Sequence, residues 1–372
     1  MEQAVKPTQK YVAIWQSEKY YERNFIRRIF EPYIAEHVVD GTHSVVLDNA
    51  ILIDAFIYSF NPDYYAAFSG KNAFLLQLGD EFYELGVDRY VHFRGVFRTI
   101  WASVFNPERV MQLPLGFSLN LEKQPFVPAS QRRYAWSFIG EAGKASRPEA
   151  VRAMVPLEPH FLFSSTPVSG VKFFSEGRDG KRRIPHKDFA DILLQSAFAP
   201  APMGNASLES CRVYDALEAG AIPIVERRLT LDYFGGLLGN YPFPTVRSWG
   251  EARRIAQRLL NNPSKLDAMQ RACTDWWSEY QNGLTARIGE FLAHCSTAQE
   301  ELRPLRSRLP TLSGWQYFEL LRHQTLRGLV RRVARQLSRV VKTGKWKIAA
   351  NKSLRLDAPA QPGNRTERGS DQ

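Results

Sequence analysis

Two blocks of short, nearly all-apolar runs, each alternating with helix-patterned stretches, most narrow what this chain can fold into. In the first block Ser44–Leu47, Ala73–Leu78, Tyr90–Phe93 and Val110–Leu113 read as strands, with helical patterns between them and notably over Glu18–His37. A polar, proline-containing break follows at Glu122–Arg133. The alternation then restarts, with strands predicted at Ala135–Ile139, His160–Phe163, Ala197–Ala199 and Ile222–Val225. Helices are predicted at His186–Gln195, Leu208–Ala219, Trp249–Leu260 and Pro263–His294. Strands that are apolar throughout need cover on both faces, and helices between them supply it, which is the pattern of a parallel sheet. Two such blocks predict an α/β protein of two Rossmann-like halves facing a cleft. The expected division is an N-terminal half over 1–130 and a C-terminal half over 131–300. A basic helical extension over 301–350 and a disordered, Ala/Pro/Gly-rich tail over 351–372 complete it.

The apolar content supports that reading. At 44% hydrophobic residues in a chain of 372, sizeable cores are within reach and wholesale disorder is excluded. No apolar run approaches the roughly 18–20 residues that span a bilayer, and Met1–Tyr20 holds no signal-type stretch. The three cysteines, Cys211, Cys273 and Cys295, form no CxxC and suggest neither a disulfide framework nor a zinc site. A cytoplasmic location is the expectation.

Net charge is +11, but it is concentrated. Arg303–Arg355 carries 14 Lys and Arg against one acid, Glu319, whereas residues 1–302 hold 33 basic and 34 acidic side chains. A nucleic-acid enzyme would place basic surface on its catalytic body, so nucleic acid is not an expected partner.

The segment richest in chemistry is Ala197–Glu226. A strand ends near Pro200, a loop with Gly204, Asn205 and Ser207 follows, and a helix starts near Ser207 as N-cap and ends at Gly220. Small residues feeding a helix N-terminus offer free N–H groups and partial positive charge, which suits a diphosphate. Arg212 lies where it can reach the same phosphates, and Asp215, on the same face, can accept from a ribose hydroxyl. Equally, this pattern describes an ordinary crossover in which Arg212 and Asp215 form a surface pair.

Ser210-Cys-Arg-Val-Tyr-Asp-Ala-Leu-Glu-Ala-Gly-Ala-Ile-Pro-Ile-Val225 resembles the signature of the exostosin-type glycosyltransferases, Ser/Cys-x-Arg-x-aromatic-Glu-Ala followed by a small residue and Ile-Pro-Val. Phe198…Pro202-x-Gly204 resembles that family's Phe-x-x-x-Pro-x-Gly. Within the family the likeness is closest to the ribitol-phosphate xylosyltransferase-like branch, where a Cys also sits near the Arg and an acid, here Glu226, follows the strand. Trp136-Ser-Phe-Ile-Gly140 with Ser146-Arg147, Gln77-Leu-Gly-Asp-Glu81, Val96-Phe-Arg-Thr-Ile-Trp101 and Leu113-Pro-Leu-Gly116 resemble further family elements in the same order. The likeness covers roughly Leu75–Val225, and it departs at Asp215, where the family usually has Glu.

The resemblance implies a GT-B architecture, a nucleotide-sugar donor (UDP foremost) bound by the C-terminal half, and inversion at the anomeric carbon. It implies donor-binding roles for Gly140, Arg147, Gly204, Asn205, Ser207, Ser210, Arg212 and Asp215. No Asp-x-Asp, the pair that holds a divalent ion in the other major glycosyltransferase fold, occurs in the chain. No metal or other cofactor is therefore expected, and helix N–H groups with cationic side chains would stabilise the leaving diphosphate. The acceptor would be a glycan, a polyol-phosphate or a lipid-linked glycan.

Inversion needs a base for the acceptor hydroxyl. Asp80 and Glu81 follow a strand at its carboxyl end and can serve, or Asp80 can simply cap the next helix. Arg94, Arg98 and Glu226 are candidates for acceptor or diphosphate contacts, solvated arginines being the plain alternative. His43, His92 and His186 have no partners at metal-ligand spacing and are read as structural, with His92 a reserve base. Cys211 reads as a small buried thiol, and Trp276-Trp277 as inter-helix core or a stacking platform. Leu326, Leu329, Val330, Val333 and Leu337, interleaved with arginines, make a basic amphipathic helix within 325–347. It fits an anionic membrane surface or docking on the body, with nucleic acid a third option. A non-catalytic nucleotide-sugar or glycan-binding protein of the same fold is the alternative function. An NAD oxidoreductase is disfavoured because no GxGxxG follows a strand.

Overall fold

Side chains alternate cleanly between two cores across the first sheet, the mark of strands covered on both faces. The computed structural model describes residues 10–297 except 56–61, 82–87, 102–104, 106, 120, 122–124, 172–185, 205–206 and 228–231. Its first sheet contains β1 (Tyr11–Trp15), β2 (Ile34–Val39), β3 (Ala50–Asp54), β4 (Ala73–Gln77), β5 (Gly95–Arg98) and β6 (Val110–Gln112). Trp15, Ile53, Leu76 and Phe97 enter one core. Ile14, Leu52, Leu75 and Val96, their neighbours by one residue, enter the other. All pairings are parallel and the order is β2-β1-β3-β4-β5-β6.

The second sheet repeats that topology. It consists of β7 (Tyr134–Gly140), β8 (His160–Ser164), β9 (Ser196–Ala201), β10 (Ile222–Glu226) and β11 (Thr245–Val246) in the order β11-β10-β9-β7-β8, again all parallel. In each sheet the first strand in the sequence sits between the second and the third. The connections therefore leave in opposite directions there, and the loops after the strands open a crevice. The helices α1 (Arg23–Phe30), α2 (Pro62–Ala66), α3 (Arg147–Met154), α4 (His186–Leu194), α5 (Cys211–Glu218), α6 (Tyr233–Leu238), α7 (Trp249–Leu260) and α8 (Pro263–Thr297) complete the described fold.

Three early assignments need correction. The helix expected over Glu18–His37 ends at Phe30, because Pro32 shunts the chain through a 3₁₀ turn into β2. Edge strand β2 carries Glu36 and His37 on partly exposed positions, which masks it as a polar helix face. Ser44–Leu47 is not a strand: Val45 and Val46 pack beside a core from an irregular segment, and the strand is β3, just beyond. Tyr90–Phe93 lies at a 3₁₀ turn that buries both aromatic rings, and the strand there is β5. β1 was not anticipated.

α8 crosses from one half to the other. Near its start Gln270 accepts from Ala129 N (2.6 Å) and donates to Gly220 O (2.9 Å). Further along, Thr285 O accepts from Tyr33 Oη (2.8 Å), and Phe291 packs edge-on against Phe97 of β5 at 5.0 Å. Trp277 is buried between Phe25 and Tyr214, and Trp276 packs on Phe243, so the tryptophan pair is core. No described helix is long and apolar enough to cross a membrane. The basic helix within 325–347 and the tail lie outside the described residues.

Leu76 is fully buried in the centre of β4. Leu76→Ala should lower the unfolding free energy by about 2–5 kcal/mol in equilibrium denaturant titration. A loss well under 1 kcal/mol would contradict the assigned core position.

Candidate functional site

A cleft of about 440 Å³ opens where the carboxyl ends of the two sheets meet. The N-terminal half contributes Tyr21 and Glu22 from the loop after β1, Gly79 and Glu81 from the loop after β4, and Leu115 and Ser118 from the segment after β6. The C-terminal half contributes Ile139, Arg147, Phe189, Gly204 and the start of α5 from Ser210 to Asp215. Two Rossmann-like sheets facing a cleft is what the alternation of strands and helices predicts, and it agrees with the GT-B architecture that the resemblance implies.

α5 starts at Cys211 with Ser210 as its N-cap, three residues later than the cap expected at Ser207. Ser207 is spent inside the loop: its hydroxyl accepts from Glu209 N (3.1 Å) and its carbonyl from Gly204 N (2.9 Å). That compact turn frees Ser210, whose buried Oγ has no hydrogen-bond partner among the described residues. A side chain on Gly204 would press on Glu209 O, 2.9 Å from the Cβ position, and face Glu81 Oε1 at 3.6 Å. Asn205 lies outside the described residues. At the far end of the helix Gly220 takes φ +63°, the left-handed geometry of a C-terminal stop.

Arg212 lies over the Phe138 ring at 5.0 Å and reaches Ile139 O with Nη2 (3.5 Å), while its buried Nε has no acceptor among the described residues. Gly140 makes this possible, since at φ +144° a Cβ there would overlap Nη2. Arg147, at the first turn of α3, is held by Met203 O (3.2 Å) and Glu141 O (3.1 Å). Burial lowers the pKa of both guanidinium groups, Arg212 to about 10 with Arg147 adding to the shift. Arg212 remains cationic at neutral pH, and its Nε, unpaired among the described residues, is a donor that an anion would satisfy.

Asp215 faces the same cleft but is also a tie between halves. Its Oδ1 accepts from Ser118 N (2.8 Å), Ser118 Oγ (3.1 Å) and Leu119 N (3.2 Å), leaving Oδ2 with Ser118 Oγ alone (3.1 Å). Burial raises its carboxyl to about 6 against those hydrogen bonds. Glu209, which the sequence reading missed, acts alike: it accepts from Leu115 N (2.7 Å), Tyr233 Oη (2.6 Å) and Tyr214 Oη, and burial pushes it to about 7. Cys211 lines the cleft, and burial drives its thiol well above the usual range, so it is a neutral small side chain.

Several expected site residues lie elsewhere. Asp80 and Arg98 form a buried ion pair (Nη2 to Oδ2, 2.6 Å), and Arg98 also donates to Tyr90 Oη (2.9 Å). Neither lines the cleft: in the loop after β4, Asp80 is buried against Arg98 while Glu81 faces the cleft. Arg94 precedes β5 and so sits at the amino end of the sheet, away from the ligand edge. Glu226 is a layer behind: it accepts from Met203 N (2.7 Å) and from Ser146 Oγ, bracing the Gly204 loop against α3. His92 bonds Ser69 Oγ at 2.8 Å outside the cleft, and His43 lies 3.7 Å from Asp54. Among the described residues no three His, Cys, Asp or Glu side chains gather as a metal-ligand set.

Comparison with known proteins adds a likeness at low identity. No family model matches the chain. Ribitol-5-phosphate xylosyltransferase 1 of Mus musculus is 21% identical over 217 residues, which cover 53% of this chain and 47% of that protein. The chain thus spans about half the length of the curated relative it matches. Among solved structures, an alpha1,3-fucosyltransferase is 11% identical with a TM-score of 0.46, over 81% of this chain and 94% of that one. The T4 phage BGT in complex with UDP and Mn2+ is 11% identical with a TM-score of 0.47, over 78% and 100%.

Because removing one partner leaves an uncompensated buried charge, Asp80→Ala should cost about 3–5 kcal/mol of stability. Denaturant titration checks this. A loss under 1 kcal/mol would return Asp80 to the list of candidate reacting groups.

Proposed function

We propose that this chain is a glycosyltransferase that moves a sugar from a nucleoside diphosphate, UDP foremost, to a hydroxyl of a polyol-phosphate, glycan or lipid-linked glycan acceptor, with inversion. The supporting observation is the pair Arg212 and Arg147 beside the N-terminus of α5, with Arg212 Nε and Ser210 Oγ both buried and unpaired among the described residues. N–H groups, a hydroxyl and two guanidiniums converging on one spot match a diphosphate better than any neutral ligand. Phe189 and Ile139 supply apolar wall for a base, and Asp215 Oδ2 retains acceptor capacity for a ribose hydroxyl. Likeness to ribitol-5-phosphate xylosyltransferase 1 supports a pentose as the first sugar to try and ribitol 5-phosphate as the first acceptor.

In the transfer, the acceptor oxygen forms its bond to the anomeric carbon as the bond from that carbon to the β-phosphate oxygen breaks. Negative charge grows on the departing diphosphate, where Arg212, Arg147 and the helix N–H groups stabilise it without waiting for solvent to reorganise. Proton transfer is to a carboxylate on the N-terminal side of the cleft, where Glu22 and Glu81 lie. The reading assigns no metal a role in any of these steps. Peripheral attachment to an anionic membrane through 325–347 remains part of the same proposal, as does action in the cytoplasm.

Calorimetric titration with UDP tests the donor site. Arg212→Ala should weaken UDP binding about 10- to 100-fold, the value of one or two charge-assisted hydrogen bonds, and EDTA should leave wild-type binding unchanged. An unaltered dissociation constant in the variant removes the assignment. Tight UDP binding without turnover of any sugar donor would favour a binding protein instead.

A further inference from the structure

We propose that Glu22, a residue no sequence pattern singled out, is the base that takes the acceptor proton, with Glu81 as the charge that tunes it. The inference rests on the transferase reading and adds the identity of the group that makes the acceptor hydroxyl a nucleophile.

Position comes first. In an open parallel sheet, ligands meet the loops leaving the carboxyl ends of strands where the connections diverge. In the first sheet that point lies between β1 and β3, and the loop leaving β1 ends at Glu22. Glu22 occupies the N-cap position of α1, yet its side chain makes no capping hydrogen bond and instead lines the cleft. Its sequence neighbours point to other tasks. Tyr21 is 72% exposed at the rim, and Arg23 lies over Trp15 at 5.5 Å.

Electrostatics then separate the two carboxyls of this wall. Glu81 lies against the Gly204 turn, and its charge is among those that support the Arg147 cation, so it sits on the diphosphate side. Glu22 is raised to about 7, chiefly by burial and further by the Glu81 charge. The other groups on the surrounding elements are Arg147 on α3, and Cys211, Arg212 and Asp215 on α5, with Glu209 behind them. The thiol is neutral and Arg212 stays charged at pH 7. A carboxyl that lines the cleft and is poised near neutrality is suited to move the proton, which assigns that task to Glu22. Asp80, locked to Arg98, is not available for it.

The balance is simple. As the acceptor O–H oxygen bonds to the anomeric carbon, its proton passes to a Glu22 carboxylate oxygen, and the bonding pair of the broken glycosyl–phosphate bond leaves on the nucleoside diphosphate. Glu22 must be ionised to act, so turnover should fall as pH drops through about 7. Removing the Glu81 charge should let Glu22 ionise more easily and move that limb to lower pH.

The test uses the full chain with UDP-xylose, UDP-glucose or UDP-N-acetylglucosamine as donor and ribitol 5-phosphate or water as acceptor. Glu22→Gln should lower kcat about 10²- to 10⁴-fold with UDP affinity within about threefold of wild type. Glu81→Gln should shift the acid limb of kcat down in pH, a displacement that a merely structural role for Glu22 would not produce. Wild-type turnover by Glu22→Gln, or an acid limb that stays put in Glu81→Gln, overturns the assignment while leaving the transferase standing. A wild-type chain that binds UDP and turns over none of these donors overturns both.

Discussion

Two guanidinium groups held in one cleft, each partly stripped of water, are the constraint around which the rest of this molecule is arranged. Burial lowers the proton affinity of both, the Arg147 charge adds to the fall at Arg212, and Arg212, at about 10, stays charged at neutral pH. Their neighbours are fixed to keep them there: Phe138 under Arg212, a glycine at 140 because nothing larger fits, and the carbonyls of Met203 and Glu141 on Arg147. Glu226 braces the Met203 loop from behind by accepting its amide. Holding cations in place before a ligand arrives costs stability, and that cost is the usual signature of a site preorganised for growing negative charge.

The halves are joined close to that site by carboxylates accepting from backbone amides. Glu209 and Asp215 lie on the loop and helix that carry Arg212, and both reach across to the segment from Leu115 to Leu119 in the other half. Burial opposes ionisation of both. The wall of the cleft that carries Arg212 and the wall that carries Glu22 are therefore set relative to each other by hydrogen bonds close to the cleft itself. Helix α8, packed on both sheets, holds them together from the outside.

Much of the second half was legible because its strands are buried on both faces and its helices are bounded by good caps. Trp249–Leu260 carries Ser248 as N-cap, accepting from Glu251 N, and its extent was read to the residue. The turn at Gly204 and the stop at Gly220 were legible as small residues at required positions. The first half was harder, since β2 lies at a sheet edge with polar side chains and β1 follows a polar N-terminal stretch. Asp80 and Glu81 illustrate the limit for sites. Both lie in the loop after β4, whose path the sequence does not fix, so a motif can name the pair without saying that one pairs with Arg98 and the other faces the cleft. Glu22 gave no signal at all, because its place depends on a topology that sequence order alone does not reveal.

A structure of the chain with UDP bound probes the central claim most directly. The account predicts diphosphate oxygens within hydrogen-bond distance of the Arg212 and Arg147 guanidiniums and of Ser210 Oγ, at the mouth of α5, both with and without EDTA. A diphosphate bound elsewhere, or held through a metal ion with Arg212 turned away, would contradict it.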